Sequence, residues 1–471
     1  MTARARGAAA TSGGAGPAAL AALGAALPPD RLLTDPALTD RYRRDHAALV
    51  EGGVPLAVAR PRTTAEAAAV LRVASAHGVP VVPRGAGSGL SGGAAALDGG
   101  IVLSTEAMSR ILEVDPANML ARVEAGVVNG DLAEEAGRNG LWYAPDPASR
   151  GFSTIGGNIA TNAGGLCCVK YGVTRESVLG VTAVLADGRV VEIGGGTVKR
   201  VAGLDLLSLV VGSEGTLTLI TEATLRLRPV PSPPLTAAAY FADLPSAGRA
   251  VEAMSRARIT PALLELIDRA TLAAVEDWRR LDLDLDAAAL LLVQSDLPGD
   301  ARRAEIALAA RCCEEAGATL VVAAEDDADS RLLMEVRRLC FSALERRGAT
   351  LLEDVGVPLG RVAELLARIE RIAHETGLEI ATFGHAGDGN MHPTIVFDGA
   401  SAEARARARD AAGRVFAAAL GLGGTITGEH GVGVLKRPWL EDELGPDLRA
   451  LGLGVKAVFD PAGILNPGRA L

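Results

Sequence analysis

Two histidines in a glycine-rich stretch near the carboxyl terminus are the residues whose types and spacing most clearly suggest chemistry. Residues 384–392 read Gly-His-Ala-Gly-Asp-Gly-Asn-Met-His, so His385 and His392 lie seven positions apart, with Gly387 and Gly389 between them. Glycine is unfavourable inside a helix. A strand that bends through a turn is therefore the better interpretation, and such a bend lets both rings face one point. Neutral imidazole is a common ligand of zinc and other metals.

A second glycine-rich stretch supplies the groups that such a site still lacks. Residues 427–433 read Thr-Gly-Glu-His-Gly-Val-Gly and contain Glu429 and His430. A carboxylate completes the three protein ligands of a catalytic zinc site, and a spare imidazole can serve as a base. The alternative for each histidine is a structural role in the core. Because three of the six histidines of the chain fall in these two segments, we favour a metal site with an adjacent base.

A third glycine-rich stretch indicates a phosphate-binding loop. Residues 83–93 read Pro-Arg-Gly-Ala-Gly-Ser-Gly-Leu-Ser-Gly-Gly and follow a predicted buried strand at residues 79–82. Backbone amides that no side chain covers form an anion-binding nest suited to a pyrophosphate, and Arg84 adds a positive charge. The stretch matches GxGxxG, but a Rossmann site needs a crossover helix, and the predicted strand Ile101–Ser104 follows too soon for one. We therefore predict a nucleotide pyrophosphate held by loops.

The chain is long enough for more than one domain. It has 471 residues, and four prolines between positions 229 and 234 mark a boundary. Strand and helix patterns alternate over residues 235–324, which predicts a second α+β layer, and a single helix is predicted at residues 329–346. Small residues dominate residues 154–165, where we expect the backbone to pass close to a flat or bulky group.

Composition excludes several classes of protein. The chain carries 47 basic and 57 acidic residues, a formal net charge of −10, which argues against nucleic acid as a partner. No apolar run approaches the ~20 residues that span a membrane. Four of the five cysteines form two adjacent pairs without CxxC spacing, which predicts a reducing, cytoplasmic location. Peripheral membrane association stays an option.

Seven segments together resemble a known flavoprotein family. Four of them resemble the FAD-binding domain of the vanillyl-alcohol-oxidase type: residues 84–93, 154–165, 171–172 and 212–217. Three others narrow the resemblance to the FAD-linked D-2-hydroxy acid dehydrogenases: residues 384–392, 429–433 and 459–469. That family includes the flavoprotein subunit of glycolate oxidase, cytochrome-type D-lactate dehydrogenases and D-2-hydroxyglutarate dehydrogenase. The resemblance extends from about residue 45 to residue 469.

The resemblance implies an α+β fold. Residues 1–17 are rich in alanine and glycine, and this composition predicts a disordered tail. A two-subdomain FAD-binding domain of the PCMH type, with an amino-terminal helix, is expected at residues 18–229. An α+β substrate or cap domain is expected at residues 230–425, and residues 426–471 are expected to return to the active site and the FAD domain. FAD is expected to be non-covalent at residues 84–93, which lack histidine and cysteine.

The resemblance also implies the residues that bind the cofactor. They are Arg84, Gly85, Ala86, Gly87, Ser88, Gly89, Leu90, Pro145, Ser149, Thr154, Gly157, Asn158, Thr161, Asn162, Gly164, Glu214, Ile220 and Asn466.

A chemical role follows for each residue of the predicted active site. A divalent ion, zinc with manganese or iron as alternatives, is expected on His385, His392 and Glu429. His430 is the expected general base and Arg337 the expected partner of the substrate carboxylate. Asn390 is expected to hydrogen-bond the substrate or to orient a ligand, and Asp388 to support a ligating histidine.

The predicted reaction is oxidation of a D-2-hydroxy acid to the 2-oxo acid. Members that act on 2-hydroxyglutarate place a hydroxyl and a lysine near Phe341 and Leu352, which are apolar here. We therefore expect D-lactate or glycolate, with D-2-hydroxyglutarate as the alternative. The electron acceptor is left open between a quinone, a cytochrome and an electron-transfer flavoprotein, and a homodimer is one option for the assembly.

Three other classes are less compatible with this sequence. A metal-dependent hydrolase would leave the glycine-rich amino-terminal half without a role. An alkyl-transferring flavoprotein of the ether-lipid synthase type should lack the segment with paired histidines. A non-catalytic flavin-binding subunit should lack the base, whereas His430 is present.

Overall fold

The computed structural model describes residues 15–471, so residues 1–14 of the predicted tail lie outside the described residues. Short strands and helices make up the chain as far as residue 229. They are α1 (Ala15–Ala26), β1 (Leu32–Leu33), α2 (Pro36–Thr39), β2 (Ala57–Ala59), α3 (Thr64–His77), β3 (Val81–Arg84), β4 (Ile101–Ser104), β5 (Ile111–Asp115), β6 (Leu120–Glu124), α4 (Asn129–Arg138), β7 (Leu141–Trp142), α5 (Ile155–Thr161), α6 (Cys168–Tyr171), β8 (Val178–Val184), β9 (Val190–Gly194), α7 (Leu206–Val210), β10 (Leu219–Arg226) and β11 (Arg228–Pro229).

This first part of the chain contains two main sheets, with β7 and β11 forming a separate pair. One sheet has the order β1-β2-β4-β3, in which β4 runs parallel to β2 and β3. The other is antiparallel, with the order β5-β6-β10-β8-β9. Although β3 and β4 are parallel neighbours, residues 85–100 connect them without a helix. This agrees with the prediction that residues 83–93 are not a Rossmann loop.

A second α+β layer follows residue 229. Its elements are β12 (Leu235–Phe241), α8 (Leu244–Arg256), β13 (Leu263–Asp268), α9 (Arg269–Arg279), β14 (Ala289–Ser295), α10 (Asp300–Ala316), β15 (Leu320–Ala323), α11 (Asp327–Leu333), α12 (Glu335–Glu345), β16 (Ala349–Leu352), β17 (Val355–Gly356), α13 (Val362–Thr376), β18 (Glu379–His385), β19 (Asn390–Phe397) and α14 (Ala402–Leu420). The strands form one antiparallel sheet, β15-β12-β14-β13-β18-β19-β16, with β17 also paired to β19. Its core is built from alanine, valine, leucine and isoleucine with few aromatic rings.

The structure corrects one element of the sequence interpretation. The single helix predicted at residues 329–346 is two helices, α11 and α12, which meet at Met334. The break lets α11 contact β12 while α12 packs on α9.

Residues 154–165, for which no secondary structure was predicted, contain helix α5. Its first turn is capped by Thr154, whose hydroxyl accepts from the Gly157 amide, and it ends at Asn162 in the left-handed conformation.

The carboxyl-terminal residues return to the first sheet. Helix α15 (Leu440–Phe459) is broken at Gly445, and beyond it Leu465 forms a parallel bridge with Val81. Lys456 fixes this return because its Nζ donates to the carbonyls of Thr216 and Leu465, each at 2.7 Å, and to the Asp460 carboxylate. This partly buried ammonium therefore ties helix α15 to the segment at Leu465 that bridges β3, the strand before the phosphate-loop candidate.

Two expectations from composition can be compared with the structure. Among residues 15–471, no helix combines the length and the apolar character needed to cross a bilayer. The five cysteines are free thiols, and three of them are buried.

Replacing Lys456 with methionine should destabilise the protein. The substitution keeps the apolar stem but removes the donor to the Thr216 and Leu465 carbonyls and the cation beside the buried Asp460 carboxylate, which then keeps only its two backbone donors. We therefore expect the free energy of unfolding to fall by about 1–3 kcal/mol. The free energy of unfolding is measured by urea denaturation of the variant and the wild type. Val458→Ser, at a side chain that is 76% exposed on the same helix, is the control and should change stability by less than about 0.5 kcal/mol. An equally small effect of the lysine substitution would contradict the assigned role of Lys456.

Candidate active site

A β-hairpin brings the two histidines of residues 384–392 together, as the sequence predicts. His385 ends β18 and His392 lies on β19 opposite Phe383, so both imidazoles emerge on the same face of the sheet. Their ring centroids are 5.0 Å apart, and both side chains are buried. The turn requires glycine at position 389, where φ is +84° and a Cβ atom would lie 2.1 Å from the Val357 carbonyl oxygen.

Glu429 completes a three-residue cluster with these histidines. Its Oε1 lies 3.4 Å from His385 Nε2 and 3.2 Å from His392 Nε2. The carboxylate fits because residue 164 is glycine, since a Cβ atom there would lie 2.2 Å from Glu429 Oε2. One donor atom from each residue lies within 4.8 Å of the other two. The three predicted metal ligands therefore converge on one point.

The geometry of this cluster fits a divalent ion. Zinc bonds of about 2.0–2.1 Å in a tetrahedral arrangement separate neighbouring ligand atoms by roughly 3.3 Å, close to the two separations observed. His385 Nδ1 lies 2.7 Å from Glu265 Oε1, which holds the other ring nitrogen toward the cluster. The prediction that Asp388 fills this supporting role is wrong, because its carboxylate accepts instead from the backbone amide of Asn390.

A buried carboxylate, Asp354, holds the loop that carries Glu429 and His430. Its Oδ2 accepts from the backbone amides of residues 428, 429 and 430 at 2.8–3.0 Å and from the Thr427 hydroxyl at 2.7 Å. Lys436, only 1% exposed, donates to the Asp354 carbonyl at 3.0 Å. Burial opposes ionisation, but Lys436 and these donors outweigh it and hold the pKa of Asp354 well below its usual range.

His430 lies against His392 as an uncharged ring. The two imidazoles stack with centroids 5.1 Å apart and planes 8° apart. Burial, with a contribution from His392, lowers the pKa of His430 to about 4, so the ring is neutral near pH 7 and can accept a proton. Its Nε2 is 3.8 Å from Glu429 Oε1, so this nitrogen lies next to the three-residue cluster.

Arg337 reaches the same region from helix α12. Its Nε donates to Glu265 Oε2 at 2.5 Å, and its guanidinium lies 4.8 Å from the centroid of the Phe383 ring. No hydrogen bond to the described residues engages its two terminal nitrogens. Glu265 therefore positions both His385 and Arg337, while the end of the guanidinium stays available to a ligand.

A large cavity of about 910 Å³ extends from this cluster toward the first part of the chain. His385, His392, Glu429, His430 and Arg337 line one end of it. Fifteen of the residues predicted to bind the cofactor also line it: Arg84, Gly85, Ala86, Gly87, Ser88, Gly89, Leu90, Ser149, Thr154, Gly157, Asn158, Thr161, Gly164, Glu214 and Ile220. The cavity therefore joins the predicted cofactor loops to the predicted chemical groups.

Three predicted cofactor residues do not line this cavity but support its walls. The Pro145 carbonyl accepts from the Asn129 side chain, and Asn162 caps helix α5. Asn466 donates to the carbonyls of Gly93 and Glu214.

The loop at residues 85–91 has the features of an anion site. Its backbone amides donate to no acceptor among residues 15–471. The guanidinium of Arg84 lies beneath it, because a Cβ atom at Gly87 would be 2.1 Å from Arg84 Nη2. The Thr218 hydroxyl, in the cavity lining, is buried without a hydrogen-bond partner in the described chain. Unused donors along one wall fit a pyrophosphate-containing ligand such as FAD.

Asn390 lies beside the three-residue cluster but outside the large cavity. Its side-chain nitrogen donates to Asp354 Oδ1 at 2.6 Å and to the Val355 carbonyl at 3.2 Å. The residue lines a second cavity, of about 580 Å³, and not the larger one. Its predicted contact with a substrate in the larger cavity therefore has no support in this geometry. Its side chain instead contacts Asp354, the carboxylate that holds the loop with Glu429.

Sequence reasoning did not identify Glu265 as part of the site, and it considered Lys436 only as a possible partner of a distal substrate carboxylate, not as the partner of Asp354. Glu265 carried a signal, since it is a charged residue in the middle of the apolar strand Leu263–Asp268. A buried charge of this kind needs a partner. Lys436 had no local signal, because its partner Asp354 lies 82 positions earlier in the chain.

Comparisons with known proteins agree with the expectation of an FAD-binding oxidoreductase. Residues 55–194 match the family described as FAD binding domain, and residues 230–470 match the C-terminal domain of FAD linked oxidases. The chain is 42% identical to glycolate oxidase subunit GlcD of Bacillus subtilis, over 88% of this chain and 89% of that protein. It is 35% identical to D-lactate dehydrogenase of Anaerostipes hadrus (94% of each chain) and 35% identical to D-2-hydroxyglutarate dehydrogenase of Xanthomonas citri (94% and 95%).

Solved structures share the fold at low identity. Crystalline p-cresol methylhydroxylase matches with a TM-score of 0.81 at 18% identity, over 98% of this chain and 97% of that one. The 4-ethylphenol oxidase of Gulosibacter chungangensis matches with a TM-score of 0.80 at 20% identity, over 98% of each chain. These matches confirm the PCMH-type FAD-binding fold. With the relatives above, they establish that the chain belongs to the family of FAD-linked oxidases and is an FAD-linked oxidoreductase acting on CH–OH groups.

Proposed function

We propose that this enzyme oxidises a short 2-hydroxy acid, D-lactate or glycolate, to the 2-oxo acid with the help of a divalent ion. The observation that supports this is the placement of the His385–His392–Glu429 cluster, a neutral His430 and the free end of Arg337 at one end of the cavity that the cofactor loops line. Relatives named for glycolate, D-lactate and D-2-hydroxyglutarate support the substrate class.

The residues of this chain would divide the reaction between them. When bound, FAD supplies the acceptor for the hydride from C2, and a divalent ion on the three-residue cluster supplies a Lewis acid for the substrate hydroxyl. The terminal nitrogens of Arg337 bind the substrate carboxylate, and Glu265 keeps that guanidinium in place. His430 accepts the hydroxyl proton at Nε2, so the hydride and the proton leave to different partners.

The walls near this end of the cavity favour a small substituent on the hydroxy acid. Phe341 and Leu352 both line it, as predicted. A second carboxylate would need a cation or strong donors there, because leaving it unpaired in apolar surroundings is unfavourable by several kcal/mol. D-2-Hydroxyglutarate is the alternative substrate, and the observation that favours it is Arg338 in the same lining. Lys436 is excluded as a partner, since Asp354 engages it outside this cavity.

The cellular setting is part of the proposal. Five free cysteines support a reducing, cytoplasmic location. Electrons would pass from the flavin to a quinone, a cytochrome or an electron-transfer flavoprotein, and a homodimer stays one option for the assembly. FAD would be held without a covalent bond, so acid denaturation should release it into solution.

Metal removal should abolish oxidation without releasing the flavin. The three-residue cluster and the loop at residues 85–91 hold their ligands through different groups, so a chelator can act on one alone. We expect dye reduction with D-lactate or glycolate to stop, flavin absorbance to stay with the protein, and added Zn²⁺ or Mn²⁺ to restore turnover. Full activity after metal removal verified by elemental analysis would disprove the metal assignment.

The variant His430→Ala should oxidise the hydroxy acid much more slowly while it still binds FAD and the metal ion. Removing a general base typically lowers the rate by about 10²–10⁴-fold, and His430 is neither one of the three cluster ligands nor part of the phosphate loop. His374→Ala, on the exposed face of α13, is the matched control and should leave kcat unchanged. Flavin and metal contents are measured on both variants. A loss of less than about tenfold in His430→Ala would assign that residue a structural role.

D-Lactate or glycolate should be preferred over D-2-hydroxyglutarate by at least about tenfold in kcat/KM, or roughly 1.4 kcal/mol. The reason is the apolar wall of Phe341 and Leu352. Side-by-side kinetics on the three acids measure the ratio. Leu352→Lys should shift the ratio toward D-2-hydroxyglutarate, whereas Leu352→Met should not. Equal or reversed values in the wild type would instead implicate Arg338 as the partner of the distal carboxylate.

A further inference from the structure

The three-residue cluster forms part of the wall between two cavities. The second cavity, of about 580 Å³, shares four residues with the larger one: Gly164, Gly165, His385 and Glu429. At this wall the backbone is bare, because the glycine at position 164 packs directly against the Glu429 carboxylate. A ligand can therefore approach Glu429 and His385 from a direction that does not pass through the cofactor cavity.

The two cavities differ in the charges that line them. The larger one has four guanidinium groups, those of Arg84, Arg150, Arg337 and Arg338, which suit phosphates and a carboxylate, together with four carboxylates, those of Asp45, Asp146, Glu214 and Glu429. Carboxylates line the second cavity: Glu176, Asp388 and Glu429, with the Cys168 thiol beside them. No lysine or arginine is among its lining residues in the described chain. Such a surface attracts cations and repels a 2-hydroxy acid anion.

An unpartnered oxygen independently points to a cation in the second cavity. Asn390 is only 8% exposed, and its side-chain nitrogen is held by Asp354 and the Val355 carbonyl. Its Oδ1 accepts no hydrogen bond among residues 15–471, and the residue lines the second cavity. Amide and carboxylate oxygens are suitable ligands for divalent ions. Oδ1 of Asn390 and the carboxylate of Asp388 thus stand beside the cluster.

Much of the remaining wall of the second cavity is backbone without side chains. Seven of its residues are glycines: Gly164, Gly165, Gly172, Gly356, Gly423, Gly424 and Gly428. A Cβ atom at Gly428 would lie 2.3 Å from Asn390 Nδ2, and one at Gly424 would lie 2.0 Å from the Gly356 carbonyl oxygen. Side chains at these positions would clash with the backbone or with Asn390.

We propose that the second cavity is the route by which a divalent cation reaches His385, His392 and Glu429. Glu176, which is exposed, attracts the ion, and Asp388 and Asn390 hold it in transit. The larger cavity is less suited to this task, because its lining includes four guanidinium groups and bound FAD would occupy it. The inference rests on the metal site proposed above, but it concerns the path of the ion and not its use in catalysis.

Metal uptake kinetics test the route without any measurement of turnover. FAD-loaded protein is stripped with a chelator and mixed with Zn²⁺, and free Zn²⁺ is followed with an indicator dye in a stopped-flow instrument. Glu176→Lys should slow uptake by about five- to tenfold at low ionic strength, with the difference shrinking in high salt. Glu315→Lys, on the exposed face of α10 outside both cavities, makes the same change in charge and should match the wild type.

A steric variant provides a second, independent arm. Val173 also lines the second cavity, so Val173→Trp should slow uptake at every salt concentration while the final metal and FAD contents stay at wild-type values. Wild-type uptake rates in both Glu176→Lys and Val173→Trp would overturn the route. So would a raised KM for the hydroxy acid in Val173→Trp with unchanged uptake, because the cavity would then carry substrate. A wild-type protein that takes up no Zn²⁺ would instead refute the proposed metal site.

Discussion

The arrangement of the site depends on one buried carboxylate, that of Asp354. Three consecutive backbone amides, a threonine hydroxyl, the side chain of Asn390 and the ammonium of Lys436 all point at it. A loop with so many glycines has no intrinsic preference for one conformation. Asp354 supplies that preference from the neighbouring sheet, since an ionised carboxylate in a buried place must be surrounded by donors. The position of Glu429 against the histidines follows from this constraint.

A second buried carboxylate, that of Glu265, fixes the positions of His385 and Arg337. It lies on β13 and contacts His385 from the adjacent strand β18 and Arg337 from helix α12. Three parts of the chain therefore meet at one point. The α+β layer after residue 229 supplies the two histidines of the cluster and Arg337, the carboxyl-terminal segment supplies Glu429 and His430, and the first part supplies Gly164. No one of them contains a complete site, which explains why the residues with chemical roles are scattered along the sequence.

The sequence predicts those parts of the site whose signals are local. Glycine spacing predicted the bend between His385 and His392 and the loop at residues 83–93, because glycine content directly limits what the backbone can do. The break at Met334 was not predictable, since neither glycine nor proline marks it and packing against two different neighbours causes it. The partners of Asp354 and of His385 were missed for another reason. They lie up to 120 positions away. The register of the sheet brings Glu265 to His385, and the return of the carboxyl-terminal segment brings Lys436 to Asp354.

The protonation of His385 gives a physical reason for a cation at the cluster. Its Nδ1 faces Glu265, so a neutral ring carries its hydrogen there and presents the lone pair of Nε2 to Glu429 Oε1, 3.4 Å away. Two acceptors at this distance repel each other unless a positive charge lies between them. A proton meets this need when no metal is bound, because Glu265 outweighs the effect of burial and raises the pKa of His385 well above its usual range. A divalent ion would displace that proton, so protons and metal compete for the same place and metal binding must weaken as the pH falls.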